Sequence, residues 1–270
     1  MLKLALELVA ILLALALMVR LIEPRLAFFP ARGETFTPRD FGVADEPMSI
    51  ATFDGERLHG WALAHATPRA QIIYFHGNGG NLSVWAPILT AIARHGFSVL
   101  AFDYRGYGNS TGRPTERGLY RDVDAVVDRF WTSSKPGPPV IYWGRSLGAA
   151  MAAYAATIRA PDGLILESGF PDVRSLVGRS LLGFLVPFST YRFPCAEFLQ
   201  QARTPVLVMH GDDDHVIPMA QGRELFERIA GPKEFFTIRD GDHNDLTPPD
   251  PLAYWQAVDR FVASLSRTES

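Results

Sequence analysis

The sequence predicts an α/β fold with a mostly parallel central sheet covered by helices on both faces. Three observations carry that expectation. Short apolar runs recur along the chain at Ile72–Phe75, Ser98–Phe102, Val140–Trp143, Leu164–Leu166, Val206–Met209 and Glu234–Ile238. Helix-length segments lie between them near 83–95, 115–131, 147–159 and 219–230, with a last one near 252–265. Strands alternating with helices argue for parallel pairing through crossovers. The runs QIIYF, SVLAF, PVIYW and PVLVM are apolar at successive rather than alternate positions. That is the pattern of strands buried on both faces.

Ahead of these runs, MSIATFDGERLHGWALA places two apolar stretches around Asp54-Gly55, a hairpin signal. The domain is therefore expected to span residues 48–270. Residues 23–47, rich in Pro, Arg and Gly and without a clean period, read as a linker packed on the domain edge. The segment 169–203 breaks the rhythm, with no clear strand and the stretch SLLGFLVPFSTYRFPCAEFLQ. A long insert on a regular scaffold reads as a lid or cap. Its Leu181, Leu182, Phe184, Leu185, Val186 and Phe188 are candidates for lining a binding pocket or resting on a membrane, with a packed structural helix as the alternative.

Bulk composition narrows the function. Of the 270 residues, 47% are hydrophobic and 20% charged, which suits a globular core. A net charge of −3 gives no nucleic-acid surface. The one cysteine, Cys195, rules out a disulfide framework and a cysteine metal site.

The N-terminus stands apart. From Leu2 to Ile22 the chain is apolar except for Lys3, Glu7 and Arg20. As a helix, that length spans roughly the 30 Å of a bilayer core. Residues 1–22 are therefore expected to form a single-pass membrane anchor. A cleaved signal peptide and a surface-lying helix are the rival readings. Lys3 and the α-amino group stand on one side of the uncharged core and Arg20, Arg25, Arg32 and Arg39 on the other, which favours the cytoplasmic side for the domain. Such an anchor would bring the protein to lipid or lipidated substrates.

In open α/β sheets, ligands bind at the carboxyl ends of the strands. Residues directly after the runs include His76-Gly77-Asn78-Gly79-Gly80, Gly144-Arg145-Ser146, His210-Gly211-Asp212-Asp213-Asp214 and Asp240-Gly241-Asp242-His243. The segment GRSLG fits G-x-S-x-G between a strand and the helix former AAMAAYAATI, the strand–turn–helix context of a nucleophilic Ser146. The bland alternative is a serine helix cap between two flexible glycines. A serine hydroxyl is a weak nucleophile and needs a base with an orienting acid. The order serine, acid, histidine is met by Ser146, an aspartate of the Asp212–Asp214 run, and His243. Asp242 adjoins His243, and composition does not separate these four aspartates. The backbone N–H groups of Leu147 and of Asn78, in FHGNGGN, are candidates for an oxyanion hole. His76 and His210 read as structural loop residues, and Arg145 as a surface or lid contact.

Together the segments YFHGNGGN, FDYRGYGNSTGRPTERGLYRD, GRSLG, LILESGF, VLVMHGDDDHVIP and GDHNDL resemble the α/β-hydrolase superfamily. They are most similar to its membrane-anchored serine hydrolase branch, the depalmitoylase-like α/β-hydrolase-domain proteins and their bacterial relatives. The resemblance implies an α/β-hydrolase fold. It places the acid at Asp214, in a pattern like HGxxDxxxP that ends on Pro218, with Asp213 in reserve. It places the base at His243. It implies hydrolysis of an ester or thioester, on a small-molecule or lipid acyl substrate, with no metal and no organic cofactor. A peptidase and a non-catalytic binding protein are the alternatives on the same fold.

Overall fold

A computed structural model of the chain describes residues 2–133, 137–178 and 183–265. An eight-stranded sheet forms its centre, built from β1 (Glu46–Ala51), β2 (Arg57–Leu63), β3 (Gln71–Phe75), β4 (Ser98–Phe102), β5 (Val140–Arg145), β6 (Gly163–Glu167), β7 (Val206–Gly211) and β8 (Lys233–Ile238). Their spatial order is β8-β7-β6-β5-β3-β4-β2-β1. The hairpin β1–β2 and the β2–β4 pair are antiparallel; the remaining pairs are parallel. The hairpin turns at Asp54-Gly55, where Gly55 takes φ 94° and Thr52 donates its hydroxyl to Asp54 Oδ1 at 2.7 Å. β5 and β7 each run two residues past their predicted ends, because the glycines Gly144 and Gly211 stay in the ladder.

The helices are α1 (Leu2–Ala27), α2 (Leu82–Arg94), α3 (Glu116–Ser133), α4 (Leu147–Ile158), α5 (Val173–Val177), α6 (Cys195–Gln201), α7 (Met219–Glu227) and α8 (Pro251–Leu265). One face of the sheet packs Ile72, Tyr74 and Trp143 against α2 and α8. The other packs Ile73, Phe75 and Tyr142 against α3 and α4. Neighbouring strand residues thus enter opposite cores, which is why the runs are apolar throughout. Buried polar groups tie the elements together. Arg105 donates from Nε to Asp122 Oδ1 at 2.8 Å and from its other nitrogens to Asp54, joining the end of β4 to α3 and the hairpin turn.

The segment 169–203 carries no strand among its described residues, as expected. It holds α5, a 3-10 helix at Gly183–Phe188, and α6. Leu181 and Leu182 lie outside the described residues. Cys195 is buried beside α4, and burial pushes its thiol up, away from the reactive thiolate.

The N-terminal expectation is corrected. Among the described residues no helix is long and apolar enough to cross a membrane. A single-pass anchor through residues 1–22, with the domain on the cytoplasmic side, is therefore not supported. The physical reason lies in the helix itself. The uncharged stretch between Glu7 and Arg20 is 12 residues, about 18 Å of helix against a bilayer core of about 30 Å. Nor does the helix stop at Ile22: it continues through Glu23 and Pro24 to Ala27. Its last turns are docked on the domain, with Val19, Glu23 and the following Phe28 buried. Beyond it, residues 23–47 are partly structured. Phe29–Pro30 pairs in parallel with Gly79–Gly80, and a 3-10 turn at Pro38–Phe41 is capped reciprocally by Thr37 and Asp40.

Candidate active site

Ser146 occupies the turn between β5 and α4. Its backbone stands at φ 56°, ψ −120°, a strained conformation for a residue with a side chain. The two flanking glycines are demanded by close approach. A Cβ on Gly144 would come within 2.0 Å of the Gly148 carbonyl oxygen, and one on Gly148 within 1.9 Å of the Phe75 carbonyl oxygen. The bend is therefore packed against the end of β3, and only a chain bare at both positions can make it. Ser146 is formally the N-cap of α4, but its side chain makes no capping bond. That disposes of the helix-cap alternative, because the hydroxyl is turned elsewhere.

It is turned to His243. Ser146 Oγ lies 3.1 Å from His243 Nε2, and His243 Nδ1 lies 2.8 Å from Asp214 Oδ2. The chain thus brings together three residues from the loops after β5, β7 and β8. Asp214 is fixed from its other oxygen, which accepts the backbone N–H groups of Val216 at 3.0 Å and Ile217 at 2.7 Å. Burial pushes the Asp214 carboxyl up, but His210, His243 and the Ile217 N–H outweigh it and hold the group well below the usual carboxylate range. An ionised Asp214 requires the proton on His243 Nδ1. Nε2 is then the bare nitrogen that accepts from Ser146.

The neighbouring aspartates are occupied otherwise. Asp213 is exposed and stands 3.4 Å from His215. Asp212 accepts the Asp240 N–H at 2.7 Å, and Asp242 accepts that of His215. His210 is buried, donating from Nε2 to the Ile217 carbonyl at 2.7 Å, so it buttresses the Asp214 loop. His76 is buried among Trp85, Tyr104 and Tyr107. Burial lowers it to about 4, and the bond to the Gly77 carbonyl only partly offsets that. Both histidines are structural, as the sequence suggested.

Ser146 and His243 open into a cavity of about 670 Å³, also lined by Leu147 and by Gly77, Asn78 and Gly79 of the loop after β3. The rest of the wall is dominated by apolar side chains, among them Phe170, Val173, Leu176, Tyr191, Phe193 and Ile217. The Asn78 side chain is committed, donating to the Ala27 carbonyl at 2.6 Å and accepting from the Tyr107 hydroxyl at 2.8 Å. Of the insert residues singled out in the sequence, Val186 lines the cavity while Phe184 is exposed.

Arg145 is the residue whose place the sequence left unread. It is neither a surface nor a lid contact. It lies buried, 3.5 Å from Glu167, and donates to the backbone carbonyls of His243 at 2.9 Å and Asp245 at 2.7 Å. Glu167 is held in turn by the Tyr254 hydroxyl at 3.0 Å. The signal was strand alternation: Arg145 shares a face with Trp143, two residues back, the face that packs against Trp85 of α2 and Tyr254 of α8.

An eight-stranded α/β sheet with a strained strand–turn–helix serine defines a protein of the hydrolase class. Comparison with known proteins agrees. A family described as serine aminopeptidase, S33, matches residues 66–198, a range that includes Ser146 and ends before Asp214 and His243. An uncharacterized protein of Mycobacterium tuberculosis is 32% identical over 246 residues, covering 89% of this chain and 87% of its own. The lysophosphatidylserine lipase ABHD12 of Macaca fascicularis is 35% identical over 197 residues, 64% of this chain and 48% of the lipase. Among solved structures, the Pyrococcus furiosus esterase Pf2001 superposes with a TM-score of 0.70 at 20% identity, covering 87% of this chain and 98% of the esterase. The chain belongs to the α/β-hydrolase superfamily.

Proposed function

We propose that the protein is a serine hydrolase that cleaves carboxylic ester or thioester bonds of hydrophobic acyl substrates. The observation that carries this reading is the Ser146–His243–Asp214 relay, with its 3.1 and 2.8 Å links, opening into a largely apolar cavity. In the proposed reaction, His243 Nε2 takes the Ser146 proton as Oγ attacks the substrate carbonyl carbon. Asp214 stabilises the imidazolium that results. The oxyanion is held by the backbone N–H groups of Leu147 and Asn78, donors of the kind worth about 10²–10³ in kcat each. Collapse of the tetrahedral intermediate breaks the acyl C–O or C–S bond, and His243 returns the proton to the departing alcohol or thiol. Water, deprotonated by the same histidine, then attacks the acyl carbon, and collapse breaks the bond to Ser146 Oγ, which takes the proton back from His243 as the acid leaves.

The relatives named as a lipase and an esterase lend this substrate class support. A peptidase reading would need an open carboxylate to hold a substrate ammonium group. Among the described residues, the carboxylate lining the cavity is Glu23, and its oxygens already accept bonds from Ser189, Thr190 and Tyr191. Hydrolysis of p-nitrophenyl esters tests the proposal. Ser146→Ala is expected to lower kcat by about 10⁴–10⁶. Activity that survives this change would remove Ser146 from the mechanism.

A further inference from the structure

The N-terminal helix is used by the site. Val19, Ile22, Glu23 and Ala27 of α1 all line the cavity that holds Ser146. The end of this helix is fastened at two places, to the insert and to the loop after β3. On the cap side, Glu23 accepts the hydroxyl of Ser189, the hydroxyl of Thr190 at 2.6 Å, and the N–H groups of Thr190 at 3.1 Å and Tyr191 at 3.3 Å. These bonds outweigh the cost of burying the carboxylate and hold it below its usual range. On the sheet side, the Ala27 carbonyl accepts from Asn78, in the loop after β3. Phe28 then packs edge-on against Tyr191 and Phe193, at ring-centroid distances of 5.5 and 6.2 Å.

The bonds to Glu23 hold the cavity-lining residues of α1 in place beside the insert. We infer that Val19 and Ile22 form a wall of the acyl-binding chamber and set the chain length it accepts, with Glu23 as the latch that holds that wall in place. The ligand class is a hydrophobic acyl chain, with dodecanoate as the probe. This inference rests on the ester-hydrolase reading for its kinetic test, while acyl binding tests it without catalysis.

Full-length protein carrying Ile22→Trp or Glu23→Ala is compared with wild type in two measurements. One is the ratio of kcat/KM for p-nitrophenyl dodecanoate over butyrate. The other is the Kd of dodecanoate, measured by calorimetry in the Ser146→Ala background, where no turnover occurs. Ile22→Trp is expected to lower the ratio, and to raise the Kd, by at least about tenfold, the equivalent of pushing roughly two methylenes off the wall. Glu23→Ala is expected to shift both in the same direction. Leu13→Trp, on an exposed part of the same helix, is the control and leaves both where they were. If wild type cleaves no ester but binds dodecanoate, and Ile22→Trp weakens that binding, the chamber wall stands and the hydrolase reading falls. If dodecanoate fails to bind, or Ile22→Trp changes neither quantity, or Leu13→Trp changes them as much, the inference is overturned.

Discussion

On the floor of the cavity, Ser146, Asp214 and His243 each follow the carboxyl end of a strand by a few residues. Ile22, in the last two turns of α1, and Val186, on the 3-10 turn, line the same cavity as its roof. The two sides are held by different forces. The floor is fixed by backbone: glycines that admit no Cβ, N–H groups aimed at Asp214, and an arginine gripping the carbonyls of the His243 loop. The roof is fixed by apolar packing and by two carboxylates. Glu23 takes the bonds from Ser189 to Tyr191, and Glu116 takes the N–H groups of Arg192 and Phe193, each at 2.7 Å. Chemistry that needs atoms held to a fraction of an ångström sits on rigid elements. Accommodation of a flexible chain tolerates a softer wall.

That contrast predicts a hierarchy. The largest effect belongs to the floor. Asp214→Asn keeps the shape but removes the charge that sets the His243 tautomer, and kcat is expected to fall about 10⁴-fold in ester hydrolysis. The same variant carries a stability signature. Because the folded-state carboxyl is depressed, its contribution is full above the ordinary carboxylate range near 4 and is lost as pH falls from there toward the folded value. Acid unfolding of Asp214→Asn should accordingly show a shallower acid limb than wild type.

Next comes the frame of the domain, where Arg105 joins β4 to α3 and the hairpin turn. Arg105→Ala leaves Asp122, fully buried, without its guanidinium. Urea unfolding is expected to report a loss of about 3–5 kcal/mol, the cost of stranding a buried charge. The smallest effect belongs to the roof. Val186→Ala should cost about 1 kcal/mol or less in the same assay, since the side chain is only half-buried. It should instead widen the range of acyl chains hydrolysed. A roof substitution as damaging as Arg105→Ala would erase the distinction between the two sides.

The floor was legible in the sequence and the roof was not, for the same reason. Ser146, Asp214 and His243 are positioned by local events, a strand ending and a turn beginning, and both leave marks in the order of residues. Asp214 could not be separated from Asp212 and Asp213 by residue type. Only the resemblance to a family pattern favoured it, and the bonds to Val216 and Ile217 give the physical reason. The roof depends on contacts between distant parts of the chain. Glu23 and Thr190 are 167 positions apart, and nothing local announces that they meet. A glutamate directly ahead of Pro24 in an apolar helix was the available signal. It read instead as the edge of a membrane span, because an apolar helix gives the same pattern whether lipid or protein covers it.

The central claim is that the floor activates Ser146 through His243, and covalent labelling tests it most directly. Wild-type protein, Ser146→Ala and His243→Ala are treated with a fluorophosphonate, and the adduct is located by peptide mass spectrometry. The account predicts a single adduct on Ser146 in wild type, none in Ser146→Ala, and none in His243→Ala over the same time. An adduct on another residue, or labelling of His243→Ala at the wild-type rate, would contradict it.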